Sequence, residues 1–271
     1  MQITLQGHPA YAYTGGRPFN PARPCVVFIH GALNDHSVWT LAARWLAHHG
    51  ASVLAIDQPG HMRSRGPLLP DVEAIADWVW HWLDAVGVHQ AALVGHSMGS
   101  LIALEAAARQ PERASRLVMV GTAYPMKVSP ALLQAAAQDP AAGMDLVNAF
   151  SHSTIAAKPS YPGPGMWLHG GGRQLMAQVQ AHGPQGENVF HHDFTLCNAY
   201  ANGLAAAAAV RCPVHLILGA QDQMTQPRHT DALRDASRAT VHRVAAGHAL
   251  MAEQPDAFLA ALRQSLHGWI G

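Results

Sequence analysis

Short uninterrupted apolar runs alternate with longer stretches in which apolar residues return every three or four positions. The runs are Cys25-Val26-Val27-Phe28-Ile29, Val53-Leu54-Ala55-Ile56, Ala91-Ala92-Leu93-Val94 and Leu117-Val118-Met119-Val120. Runs of this length, bounded by turn residues, fit strands covered on both faces, as in a parallel sheet. Between them, Trp39, Ala43, Leu46 and Ala47 share one helical face from an N-cap at Ser37 to a stop at Gly50. Ile75, Trp78, Val79, Trp82, Leu83 and Val86 form a broad stripe on a helix capped by Asp71 and closed at Gly87. Residues 2–6 and 10–14 alternate apolar and polar around Gly7-His8-Pro9, the pattern of an edge hairpin.

The rhythm breaks between Thr122 and Ala208. That stretch holds short amphipathic pieces (Leu132 to Ala137, Met144 to Phe150, Leu175 to Val179, Phe194 to Ala201) and a glycine-rich run, Gly163 to Gly172. A helical insertion is expected, with the glycine run as a hinge or surface loop. Alternation resumes with a strand at Pro213 to Gly219, a helix near Pro227 to Ala236, a strand at Thr240 to Val244 and a closing helix from Pro255. Such order predicts an α/β fold with a mostly parallel eight-stranded sheet, helices on both faces and right-handed crossovers. The division expected is a core of 1–121 and 209–271 carrying an inserted 122–208.

Composition narrows the function classes. Of 271 residues 49% are hydrophobic and 13% charged, with formal net charge zero, which argues against nucleic acid or an anionic membrane as partner. No apolar run reaches the ~18 residues of a membrane span. The start, Met1-Gln2-Ile3-Thr4, lacks a basic region followed by an apolar run, and the cysteines (Cys25, Cys197, Cys212) are odd in number. A cytoplasmic protein with free thiols is the expectation. Among 19 histidines no two stand three or four residues apart, which removes the helical H-x-x-x-H zinc pattern. No metal and no cofactor are expected, and nothing selects between monomer and homodimer.

The chemistry centres on Gly95-His96-Ser97-Met98-Gly99, between the run ending at Val94 and an alanine-rich helix. A serine on so abrupt a strand-to-helix turn exposes its hydroxyl above the sheet and needs glycine on both sides. Ser97 is the candidate nucleophile. A serine at its ordinary pKa requires a base and a group to orient that base, and in a parallel sheet these come from carboxyl ends of strands. Asp222 and His248 stand at such places, after Gly219 and in Ala245-Ala246-Gly247-His248. Rival acids Asp231 and Asp235 fall within an expected helix, and His242 lies on the last strand. For His30 and His96 hydrogen-bonded structural roles are expected, and for Asp57 the tying of its own loop.

With these landmarks in order (His30-Gly31, Asp57-x-Pro59-Gly60, the serine elbow, Gly-x-x-Asp222, Gly247-His248), the sequence resembles the α/β-hydrolase superfamily over essentially its whole length. The resemblance implies Ser97 as nucleophile, His248 as general base and Asp222 as the residue fixing the imidazole tautomer. It implies backbone N–H groups of Ala32 and Met98 as the oxyanion hole, and a helical cap inserted after the sixth strand. Two positions depart from the pattern: Ser100 and Met62 stand where glycine is usual. The insertion is rich in apolar residues (Met126, Met144, Met166, Trp167, Phe190) and its basic residues are Lys127, Lys158 and Arg173. A small, largely apolar carboxylic ester is therefore the expected substrate, cleaved through an acyl-enzyme. The alternatives are C–C hydrolysis of a diketone-like ring-fission product, whose enzymes usually carry tryptophan where Ala249 stands, and a low-turnover ligand-binding protein. Epoxide hydrolysis and dehalogenation would need aspartate in place of Ser97.

Overall fold

A computed structural model of the chain describes residues 1–153 and 167–270. Lys158, Met166 and the Pro-Gly-Pro-Gly part of the glycine run lie outside the described residues. The strands are β1 (Gln2–Leu5), β2 (His8–Tyr13), β3 (Cys25–Ile29), β4 (Ser52–Ile56), β5 (Ala91–His96), β6 (Ala114–Val120), β7 (Val214–Gly219) and β8 (Thr240–Val244). They form one sheet in the order β1-β2-β4-β3-β5-β6-β7-β8. From β4 to β8 all neighbours are parallel, while β1 pairs with β2, and β2 with β4, antiparallel. The edge turn is Gln6-Gly7, and His8 and Pro9 belong to β2 rather than to the turn expected there.

Helices cover both faces. Along β3 the side chains alternate: Cys25, Val27 and Ile29 pack with residues of α2 (Val72–Ala85) and α3 (Met98–Arg109). Val26 and Phe28 pack with α1 (Thr40–His48) and, near the C-terminus, Pro255–Ser265. The two-residue period of a strand thus supplies two cores from one apolar run. Asp71 caps α2 as expected, accepting the Ala74 N–H at 2.7 Å. At α1 the cap differs. Asp35, not Ser37, accepts the Ser37 N–H at 2.8 Å, and a 3-10 turn at His36–Trp39 precedes the helix. An ionised carboxylate is a strong acceptor at a helix start.

Between β6 and β7 stand α4 (Pro130–Gln138), α5 (Pro140–Phe150), α6 (Leu168–His182), α7 (Val189–Ala199) and α8 (Gly203–Ala209), with no strand among the described residues. Gly170, Gly171 and Gly172 lie inside α6 rather than in a loop. Tertiary packing overrides glycine's weak propensity there: Met176 and Val179 of α6 join Met144, Phe190 and Phe194 in a separate apolar cluster. After β7 a 3-10 turn at Pro227–Thr230 leads to α9 (Asp231–Ser237), splitting the single helix expected there; α10 (Leu250–Glu253) and α11 (Pro255–Ser265) follow β8.

The carboxylate of Asp71 satisfies an otherwise unpaired helical donor, so Asp71→Ala should lower stability by about 1 kcal/mol in urea denaturation. An unchanged midpoint would show that water serves that N–H equally well.

Candidate active site

Parallel register brings the carboxyl ends of the central strands to one edge, with His96 opposite Val120 and Gly219 opposite Val244. Ser97 stands just past β5 with φ 52° and ψ −121°, a conformation side chains avoid. Its N–H donates to the Val120 carbonyl at 2.9 Å. A β-carbon on Gly95 would lie 2.0 Å from the Gly99 carbonyl oxygen, and one on Gly99 would lie 2.3 Å and 2.4 Å from the Ile29 and His30 oxygens. Backbone cannot yield such space, so both glycines are required. Ser100 uses its place well: its hydroxyl donates to the Ser97 carbonyl at 2.5 Å and pairs with Thr122 Oγ1 at 2.8 Å. Met62 adopts the glycine-like φ of 43°.

His248 and Asp222 meet at 2.8 Å, Nδ1 to Oδ2, both buried. Asp222 Oδ1 accepts the N–H groups of Met224 and Thr225, each at 2.8 Å. Thr225 Oγ1 donates to Asp222 Oδ2 at 2.8 Å and lies 3.1 Å from His248 Nδ1. Burial works against the charge on Asp222, but His248 and these donors outweigh it and hold the carboxyl below its ordinary value. An ionised Asp222 accepting from Nδ1–H leaves the lone pair on His248 Nε2, the tautomer a general base requires. The local Asp222-x-x-Thr225 spacing is an Asx-type signal from which Thr225 could have been found.

Ser97, His248 and Ala32 all line one cavity of about 1090 Å³. Ser97 Oγ makes no hydrogen bond to His248 among the described residues; in unliganded sites this contact commonly tightens only with substrate. Met98 opens α3, so its N–H is one of the unpaired donors of a helix start. The Ala32 N–H has no hydrogen-bond partner among the described residues. Neither N–H is thus committed to a protein acceptor among the described residues.

The bordering histidines are occupied. His96 Nε2 donates to the His248 carbonyl at 2.9 Å, and burial, with His248 beside it, pushes the His96 pKa down to about 3. His30 Nε2 accepts the Gln58 N–H at 3.1 Å, and burial and His61 push its pKa down to about 4. His242 Nε2 lies 3.1 Å from His215 Nδ1 on the neighbouring strand. Asp231 and Asp235 pair with Arg234 on the surface. Asp57 accepts the His36 N–H and ring at 2.9 Å and 2.7 Å, and the Arg63 N–H at 3.2 Å, tying its loop as expected. Asp35, His36 and Asp57 bring three possible metal donors within 4.8 Å. These donors are spent on one another and on backbone, so the cluster reads as loop anchoring.

Two buried carboxylates had no local signal in the sequence. Glu253 Oε1 accepts the Gly247 N–H at 2.9 Å, beside His248. Asp193 on α7 accepts from His61 Nε2 at 3.0 Å, and His61 Nδ1 donates to the Pro59 carbonyl at 3.0 Å. Burial opposes both charges. Asp193 nevertheless raises the His61 pKa, and His61, His192 and the Leu33 N–H lower that of Asp193. The raised His61 stabilises the fold fully below its ordinary value and loses that contribution as pH rises through its elevated one; Asp193's share is lost as pH falls below the carboxylate range. The stability deficit of Asp193→Asn, followed by thermal melting, should therefore shrink as pH rises through the elevated His61 pKa. A deficit independent of pH would show that His61 is neutral in the fold.

Among the described residues no helix is long and apolar enough to cross a membrane. A 99-residue stretch is 34% identical to "Putative non-heme haloperoxidase" of Mycobacterium phage D29, covering 36% of either chain. Over 254 residues the chain is 27% identical to "Putative carbamate hydrolase RutD" of Klebsiella pneumoniae (strain 342), covering 88% of this chain and 89% of that one. The structure of the enol-lactonase from Burkholderia xenovorans LB400 superposes with a TM-score of 0.84 at 21% identity, over 98% of this chain and 99% of that one. At that identity the likeness is one of fold. A family model described as alpha/beta hydrolase fold matches residues 24–160, about half of the chain. The chain belongs to the alpha/beta hydrolase fold family.

Proposed function

We propose that the protein is a serine hydrolase that cleaves a largely apolar carboxylic ester through an acyl-enzyme. The observation that carries this reading is the aligned pair at 2.8 Å, His248 Nδ1 to Asp222 Oδ2, opening on the same cavity as the strained Ser97. Ser97 Oγ attacks the ester carbonyl as His248 Nε2 takes its proton. The tetrahedral oxyanion is held by the N–H groups of Ala32 and Met98, donors fixed before charge develops. His248 returns the proton to the leaving alkoxide, and water then repeats the sequence on the acyl-serine. Asp222 remains ionised and stabilises the imidazolium.

The insertion 122–208 acts as a lid on the core of 1–121 and 209–271, since Met126, Leu132, Leu175, Met176 and Phe194 line the cavity with Ser97. Among the described residues the lining includes no arginine, and its charged residues are Lys127 and Asp256, both exposed. A neutral acyl group fits such a wall. At about 1090 Å³ the cavity is roomier than a short ester needs, matching the upper range of sites for drug-sized ligands. Substrates with a bulky or extended apolar acyl part suit it better than acetate esters. Lactones and carbamates present the same carbonyl to the same machinery, in keeping with the relatives' names. The free thiols of Cys25, Cys197 and Cys212 suit a reducing compartment such as the cytoplasm.

Ser97→Ala should abolish both turnover of p-nitrophenyl esters and labelling by a fluorophosphonate, and retained activity would remove Ser97 from the mechanism. Asp222→Asn should lower kcat about 10⁴-fold with KM little changed, because the wrong tautomer would then face Ser97. A kcat within tenfold of the parent would argue that Asp222 does not orient the base. Across p-nitrophenyl esters of two to twelve carbons, kcat/KM should rise with chain length. A maximum at acetate would contradict the large acyl pocket.

A further inference from the structure

The insertion reaches the core beside the proposed oxyanion donor. Asp193 Oδ2 on α7 accepts the Leu33 N–H at 2.8 Å and the His61 Nε2–H at 3.0 Å, with all three residues buried. Leu33 follows Ala32 directly. Its φ is 54°, a left-handed conformation that a bulky side chain keeps only where its surroundings over-determine it. The surroundings do so twice. The Leu33 side chain packs into the insertion's own apolar cluster with Phe190 and Phe194, and its N–H is taken by Asp193.

The other side of the loop is also held. Gln58 Nε2 donates to the His30 carbonyl at 2.7 Å, and Asn34 Nδ2 donates to the Ala32 carbonyl at 3.1 Å. The peptide bearing the Ala32 N–H therefore lies between two anchored neighbours, and that N–H stays free of protein partners among the described residues. His61 in turn locates Asp193. Its Nδ1–H is committed to the Pro59 carbonyl, so its Nε2–H points a fixed donor at the carboxylate. One acceptor on the lid thus sets the rotation of a core peptide adjoining the oxyanion donor.

We propose that Asp193, located by His61, is a positioning residue for the Ala32 oxyanion donor, so that the helical insertion completes the site it covers. The proposal rests on Ala32 being an oxyanion donor, as in the reading above. Loss of a contact that merely glued lid to core would lower stability without touching the chemical step. Loss of a contact that aims the donor acts on the transition state, so it lowers kcat and leaves KM.

The test compares three proteins in p-nitrophenyl butyrate hydrolysis, with active sites counted by fluorophosphonate titration: the natural chain, Asp193→Asn, and Asp193→Leu combined with His61→Phe. The paired replacement removes both charges together, leaves no lone buried ion and takes away the acceptor for Leu33. It should lower kcat per labelled site about tenfold to hundredfold, with KM within about twofold, the scale of a misplaced transition-state donor. Asp193→Asn keeps an amide oxygen for the Leu33 N–H and should recover most of that loss. If the paired replacement does not fold, Asp193→Ser, whose hydroxyl is too short to reach Leu33, is read against the same limits. A kcat per labelled site within twofold of the natural chain, or a change confined to KM or to melting temperature, overturns the proposal. That result in a chain whose Ser97→Ala variant is dead leaves the hydrolase reading standing. A natural chain that neither takes the label nor turns over esters overturns both.

Discussion

The start of α3 is pressed against the end of β3, and the site is arranged around that contact. Gly99 lies so close to the Ile29 and His30 carbonyls that a β-carbon there would penetrate them. The approach forces the chain through the strained turn at Ser97, which lies against the loop that carries Ala32: a β-carbon on Gly31 would stand 3.0 Å from the Ser97 β-carbon. The cost of that turn is spread over the sheet: the Ser97 N–H is held by Val120, and the Ser97 carbonyl by Ser100. A strained serine can stay in place because its neighbours leave it no alternative.

Around this turn, other loops are held by polar groups rather than by packing alone. The His248 carbonyl is taken by His96, the Gly247 N–H by Glu253 and the Leu33 N–H by Asp193. Each is a buried hydrogen bond to backbone beside a proposed catalytic group. Such bonds are costly to leave unmade in a low-dielectric interior, which makes them effective locks on loop geometry. Ser97, His248 and Ala32 therefore stand on or beside loops whose backbone groups are held by buried hydrogen bonds.

Much of the fold was legible because its signals are local. The uninterrupted run at Cys25–Ile29 and the short strand at Thr240–Val244 have the observed bounds, and four amphipathic pieces of the insertion lie within or across α4 to α7. Structure departs from the local pattern where local signals compete. Ser37 and Asp35 are both good caps, and the carboxylate won. Three glycines argue for a loop, yet Gly170 to Gly172 are helical because α6 is held by the apolar cluster it joins. Pro9 marked a turn but sits in β2.

By itself the sequence determined the strand and helix order and the chain order of Ser97, Asp222 and His248, since periodicity, glycine spacing and strand-end position are written in neighbouring residues. Only the tertiary structure decided that His248 and Asp222 meet at 2.8 Å, that Thr225 joins them, and that His96 holds the His248 carbonyl. It alone brought Asp193 to Leu33 and His61, partners 160 and 132 residues apart in the chain. A buried carboxylate shows no periodicity and needs no motif. Its acceptors are satisfied by whichever donors the fold delivers, and that delivery depends on how helices and sheet pack rather than on any local stretch of residues.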